Sequence, residues 1–165
     1  MLKKFVSSLL IIVLLISCGS KNNSNEEAGS NQATIKDLSV ADAAKKLAED
    51  LGMINELTEF PSNRTLAMLF QNDKEAVEEA ALYLSSDKKA DTVGVFKVKE
   101  TEKCKEYIQS YISSLKDRAN NYTPEETFKI DKAIVETNDD SSIIVFVIAD
   151  NIEDAKGKVN ALLGK

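Results

Sequence analysis

The chain has no histidine and no tryptophan, and only two cysteines and two prolines in 165 residues. Without histidine there is no Ser-His-Asp triad, no histidine-containing zinc site and no imidazole acid–base chemistry. Basic charge is also scarce. The 21 Lys+Arg stand against 27 Asp+Glu, a formal charge of −6, whereas nucleic-acid binding needs a clustered basic surface that displaces counterions. No nucleic-acid partner is therefore expected. No Gly-rich dinucleotide or phosphate-binding loop occurs, so no cofactor is expected either. What is present is ordinary for a folded domain: 43% hydrophobic residues exclude intrinsic disorder of the whole chain.

The hydrophobic residues are unevenly placed. Lys3 and Lys4 precede an apolar run over residues 5–16, interrupted only by Ser7 and Ser8. Twelve helical residues cover about 18 Å against roughly 30 Å of hydrocarbon, too short for a permanent span. The run ends in Leu15-Ile16-Ser17-Cys18, which resembles the lipobox of bacterial lipoproteins. That resemblance implies diacylglycerol on the Cys18 thiol and cleavage between Ser17 and Cys18. A small residue at Ser17 fits a peptidase pocket, and a thiolate is the nucleophile that takes the lipid. Residues 1–17 are thus read as a lipoprotein signal peptide. Residues 18–35 are a polar tether, and 36–165 are one folded domain. The tether has an rms reach of about 20 Å. Cleavage removes two Lys, leaving 19 Lys+Arg against 27 Asp+Glu and a charge of −8. Anionic lipid repels such a chain, so attachment to the extracytoplasmic face of the cell membrane falls to the acyl chains.

From residue 36 onward the apolar spacing is regular. It predicts a helix over 40–51, capped by Ser39 and stopped by Gly52, then a ragged strand before Pro61 and a brief helix carrying Leu66, Leu69 and Phe70. Strands over 79–85 and 92–99 form a hairpin, and a second helix follows over 102–119. Thr123-Pro124-Glu125-Glu126 reads as a capping box opening a short helical turn. Strands over 129–137 and 142–150 flank a turn at 138–141, and Ile143 to Ala149 is apolar throughout, as in a strand buried on both faces. Asp150 is taken as the cap of the last helix, with Glu153 at the box position. The resulting order is helix, hairpin, helix, hairpin, helix. It predicts an α+β fold, a mostly antiparallel sheet with helices packed on one face.

Three stretches carry a resemblance: Glu-Glu-Ala-Ala-Leu-Tyr-Leu-Ser-Ser at 78–86, Val-Gly-Val-Phe-Lys-Val-Lys at 93–99 and Tyr-Thr-Pro-Glu-Glu at 122–126. They resemble the family of small lipoproteins, found mainly in anaerobic Gram-positive bacteria, classed as domain of unknown function 4358. The resemblance covers roughly 36–165 and agrees with the lipobox ahead of it. It implies location and fold and carries no residue role to a named position.

Candidate chemistry is sparse. Once Cys18 is lipidated, Cys104 is the remaining thiol, and its place on an apolar helical stripe makes it a core residue. The turn Asn138-Asp139-Asp140-Ser141 offers oxygens but lacks the Asp-x-Asp-x-Asp-Gly pattern of a calcium loop, so no metal is expected. No catalytic residue is assigned. Tyr83, Phe96, Lys97 and Lys99 are a candidate binding surface if one face of the sheet is open. The leading expectation is a membrane-tethered, non-enzymatic domain that binds a protein, peptide or envelope component. The alternative is a cell-envelope hydrolase using paired carboxylates, for which a cleft with converging Asp and Glu side chains is the mark.

Overall fold

The computed structural model describes residues 33–86 and 88–165. The signal segment, the box at 15–18 with Cys18, and most of the tether lie outside these residues. A 3-10 turn, Ile35–Asp37, leads into α1 (Val40–Asp50), where the Ser39 hydroxyl accepts the Asp42 amide as the spacing predicts. The elements β1 (Thr58–Phe60), α2 (Ser62–Phe70), β2 (Val77–Leu84), β3 (Thr92–Val98) and α3 (Thr101–Tyr122) follow. A 3-10 turn, α4 (Thr127–Ile130), β4 (Ile134–Thr137), β5 (Ile143–Ile148) and α5 (Ile152–Leu163) complete the chain. No helix among the described residues is long and apolar enough to cross a membrane.

The α+β class and the antiparallel sheet are as expected, with strand order β1-β2-β3-β5-β4 and every neighbouring pair antiparallel. The expectation of helices on one face is corrected. On one side α1 and α5 lay Ala43, Ala44, Leu47, Ala155 and Val159 over Tyr83, Val93, Val95, Val145 and Val147. On the other, α2, α3 and α4 cover Leu82, Phe96, Ile144, Phe146 and Ile148. The physical reason is the composition of β3 and β5. All six residues of Ile143–Ile148 are buried, and a strand with no polar alternation needs cover on both sides.

Three local expectations are also corrected. Lys129 and Ile130 belong to α4, and the strand begins only at Ile134. Thr123 makes no capping bond with its side chain. The cap of α5 is Asn151, whose Oδ1 accepts the Asp154 amide, and Asp150 turns elsewhere.

Between α2 and β2 the chain passes through two left-handed residues, Gln71 and Asn72, and is then fastened by Asp73. Its carboxylate accepts the Ala76 amide at 3.1 Å, the Tyr107 hydroxyl at 3.1 Å and the Lys103 ammonium at 2.7 Å. Hydrogen bonding from Lys103, then from the Ala76 amide, lowers the Asp73 pKa from 3.8 to about 2. A lowered carboxylate contributes stability that is complete above 3.8 and is lost as the pH falls through about 2. We expect Asp73→Asn to be less stable than wild type at neutral pH and to show a flatter stability profile across that acid window, measured by denaturant titration at each pH. Parallel profiles for the two proteins would show that Asp73 does not carry the acid sensitivity.

The chain enters and leaves the fold at one end. A Cβ built on Gly164, just past α5, would stand 4.0 Å from Thr34 Cγ2, and Lys165 pairs with Glu136 near the far end of β4. The helices α1 and α5 lie against the same face of the sheet. The end of α1 and the start of α5 meet around Gly52, Asp91 and Asp150.

Candidate functional site

At that second end of the sheet the register places Thr92 opposite Ile148, so the residues next to them, Asp91 and then Ala149 and Asp150, leave two neighbouring strands side by side. Two aspartates at adjacent strand ends repel unless a cation stands between them. That cation is Lys129, delivered by α4 and only 2% exposed. Its Nζ lies 2.9 Å from Asp91 Oδ1, 2.9 Å from Glu126 Oε2 and 3.1 Å from Asp150 Oδ1. Glu126 Oε2 also accepts the Ala90 amide at 2.7 Å, and the Thr92 hydroxyl donates to the Ala90 carbonyl. The cluster therefore ties α4 to the β2–β3 connection and to the end of β5.

Burial by itself lowers the Lys129 pKa, but hydrogen bonds to Glu126, Asp91 and Asp150 outweigh it, and the net shift is upward from 10.5. A lysine held as ammonium has no lone pair, so it is neither a nucleophile nor a general base at neutral pH. Cys104 is silenced differently. It is fully buried, with Sγ 3.6 Å from the Ala76 carbonyl oxygen, and burial, followed by the charges of Asp73 and Glu100, raises its pKa to about 11. It packs as the core residue its helical position implies.

Two clefts flank Asp91. One, about 220 Å³, lies towards α1 and α5 and is lined by Gly52, Glu56, Asp91, Asp150 and Asp154 among others. Each of its carboxylates is already engaged: Glu56 by Lys89, Asp91 and Asp150 by Lys129, Asp154 by Lys158. The acidic groups converge, but on lysines and not on an open reaction centre. The other cleft, about 210 Å³, opens between α2, α3 and the β2–β3 connection.

The four residues expected to share a binding surface do not meet. Tyr83 is buried beneath α1, and Phe96 is buried on the opposite face, edge-on to Phe70 at 5.0 Å between ring centroids. Lys97 and Lys99 lie at the end of the sheet away from Lys129. There Lys97 pairs with Glu78 at 2.9 Å and Lys99 approaches the same carboxylate at 3.8 Å. The hydrogen bond that Lys97 donates to Glu78 lowers the Glu78 pKa and raises the Lys97 pKa. At the 138–141 turn, Asn138 Oδ1 accepts the Ile143 amide and Asp140 Oδ1 the Ser142 amide, so their oxygens serve the turn itself. Cys18 and the other box residues lie outside the described residues.

In the sequence Glu126, Lys129 and Asp150 each carry a local role, as box residue, strand residue and helix cap, and no spacing brings them together. The available signal was Asp91 and Asp150 at the ends of two strands that pair antiparallel, which calls for a lysine or arginine from elsewhere.

A family model described as Domain of unknown function (DUF4358) matches residues 50–149, from the last residue of α1 through β5. No curated protein and no solved structure matches the chain. The matched span holds Asp91, Glu126 and Lys129 and covers more than half of the 165 residues, and the chain thus belongs to the DUF4358 family.

Proposed function

We propose that the chain is a bacterial lipoprotein, held on the extracytoplasmic face of the cell membrane by lipidated Cys18. Its domain acts by binding a protein, peptide or envelope component. The observation that carries the location is the order of features at the N-terminus: Lys3 and Lys4, the apolar run over 5–16, Leu15-Ile16-Ser17-Cys18, then a polar stretch ahead of the first turn at Ile35. Two acyl chains at about 0.8 kcal/mol per buried CH₂ anchor stably where one is marginal.

Binding is favoured over hydrolysis by the state of the polar groups. A glycosidase-type mechanism needs one carboxylate free to donate a proton and another free to attack or activate water. Here the cleft carboxylates are each held by a lysine, and the buried lysine and thiol are both protonated at neutral pH.

We expect Cys18→Ala to abolish metabolic labelling with palmitate and to leave the protein unprocessed or shed from the membrane fraction. Normal labelling and fractionation of the variant would overturn the lipidation reading. For the binding half, chemical crosslinking of the anchored chain in its own host should enrich one envelope component over a mock-tagged control. Turnover of an envelope polymer by the purified protein would favour the hydrolase instead.

A further inference from the structure

The cleft between α2, α3 and the β2–β3 connection differs from the acidic one in what its walls leave unused. Its large apolar lining residues are Phe60, Met68, Leu84, Tyr111 and Leu115, with Arg118 beside them and a polar side formed by the β2–β3 connection. Tyr111, Leu115 and Arg118 stand at i, i+4 and i+7 of α3, so they share one side of that helix. Tyr122, at i+11, extends the same stripe and is 81% exposed.

The chain contains two arginines, of which Arg118 lines this cleft and Arg64 lies against one of its walls. The Arg64 guanidinium lies 5.0 Å from the centroid of the Phe60 ring, itself a cleft wall. Neither arginine enters an ion pair among the described residues, whereas Lys89 pairs with Glu56 and Lys116 with Asp131. Among the described residues, the other charged groups lining this cleft are Lys89 and Asp91, held by Glu56 and Lys129 respectively. In a protein with six more acidic than basic side chains, Arg118 is a permanent cation beside an apolar hollow with no internal partner among the described residues. Guanidinium presents a planar fork of donors that matches a carboxylate with two parallel hydrogen bonds and stays charged at any accessible pH.

We infer that this cleft binds a carboxylate carried on a small apolar body. Arg118 takes the carboxylate, and Phe60, Met68, Leu84, Tyr111 and Leu115 enclose the body. At about 210 Å³ the space is smaller than the cavities that take drug-sized ligands, which start at about 300 Å³, and it suits one aromatic or branched side chain. The free C-terminus of a peptide ending in an apolar residue offers this chemistry, and so does a free arylalkanoic acid. The inference rests on the binding reading above and gives that reading a location and a ligand class.

The test is calorimetric titration of the full-length chain in detergent with 3-phenylpropionate, with glycylglycylphenylalanine, and with the C-terminal amide of that peptide. We expect at least one acid to bind with a Kd of about 1 mM or below. Loss of a charge-assisted pair of hydrogen bonds should make the amide about 10- to 100-fold weaker than the peptide acid, and Arg118→Gln should weaken acid binding similarly. Arg118→Lys should recover part of the affinity, and circular dichroism should show both variants folded, since Arg118 is exposed. Tighter binding of the peptide acid than of 3-phenylpropionate identifies a chain terminus as the source, and the reverse identifies a free acid. Equal binding of peptide acid and amide, unchanged binding in Arg118→Gln, or no binding of either acid up to about 10 mM overturns the assignment. A host component crosslinked equally by wild type and Arg118→Gln would remove the cleft from the interaction while leaving the binding reading intact.

Discussion

Lys129→Met is expected to destabilise the domain by about 3–5 kcal/mol, the loss that follows when one partner of a buried ion pair is removed and its counter-charges stay behind. Methionine matches the lysine stem in length and flexibility, so the change isolates the charge from the packing. Asp91 would then lie buried with no cation, and Glu126 would keep only the Ala90 amide. Asp150 is mostly exposed and water would resolvate it. Restoring neutrality should restore stability. In Lys129→Met combined with Asp91→Asn and Glu126→Gln, most of the loss should return, because replacing a whole buried cluster is often close to neutral. Denaturant unfolding followed by circular dichroism reads both values. A single-variant loss below about 1 kcal/mol would class the cluster with exposed surface pairs and remove its claim to fasten this end of the sheet. The pH dependence has a definite sign. Because the Lys129 pKa is raised, its contribution is complete below 10.5 and fades only as the pH climbs beyond it.

The second large effect is expected at Phe96. Its ring is fully buried, meets Phe70 edge-on, and lies over Gly94 on the same face of β3. Phe96→Ala should cost about 3–5 kcal/mol, through lost transfer energy and the hollow left beneath α2 and α3. Gly94 is the complementary half. A Cβ there would stand 2.6 Å from Phe96 Cζ and 3.2 Å from Leu82 Cδ1, so Gly94→Ala should cost about 1–3 kcal/mol by overpacking. If the ring is the obstacle, the Gly94→Ala penalty should shrink when Phe96 is already alanine. A double-mutant cycle measures that coupling, and strict additivity would mean the glycine is needed for another reason.

Much of this architecture is legible in residue spacing. Ser39 and Gly52 bound α1, the 3.6-residue stripe from Cys104 to Ala119 marks α3, and the alternation in β2 assigns Ala81 and Tyr83 to one face and Leu82 and Leu84 to the other. The second helical layer was also written in the chain. Ile-Ile-Val-Phe-Val-Ile at 143–148 cannot leave either face to water, and that run argues against any open sheet face. Antiparallel sheets commonly leave one face wet, but six consecutive apolar residues require cover on both. The Lys129 cluster was illegible for a different reason. Its members are spread from Asp91 to Asp150 and each has a local role of its own, so only strand register brings Asp91 and Asp150 together. The arginine cleft likewise depends on α2, β2 and α3 converging, which no spacing rule within one element reports.

Where the chain enters its fold has a consequence for reach. Thr34 sits beside the exit of α5, whereas both clefts lie by Asp91, near the entry of that helix. Twelve helical residues separate the two ends by about 18 Å. Arg118 therefore lies on the side of the domain remote from the point at which Thr34 enters it. Under the proposed anchoring through Cys18, a ligand reaches the cleft without having to pass between the domain and the membrane.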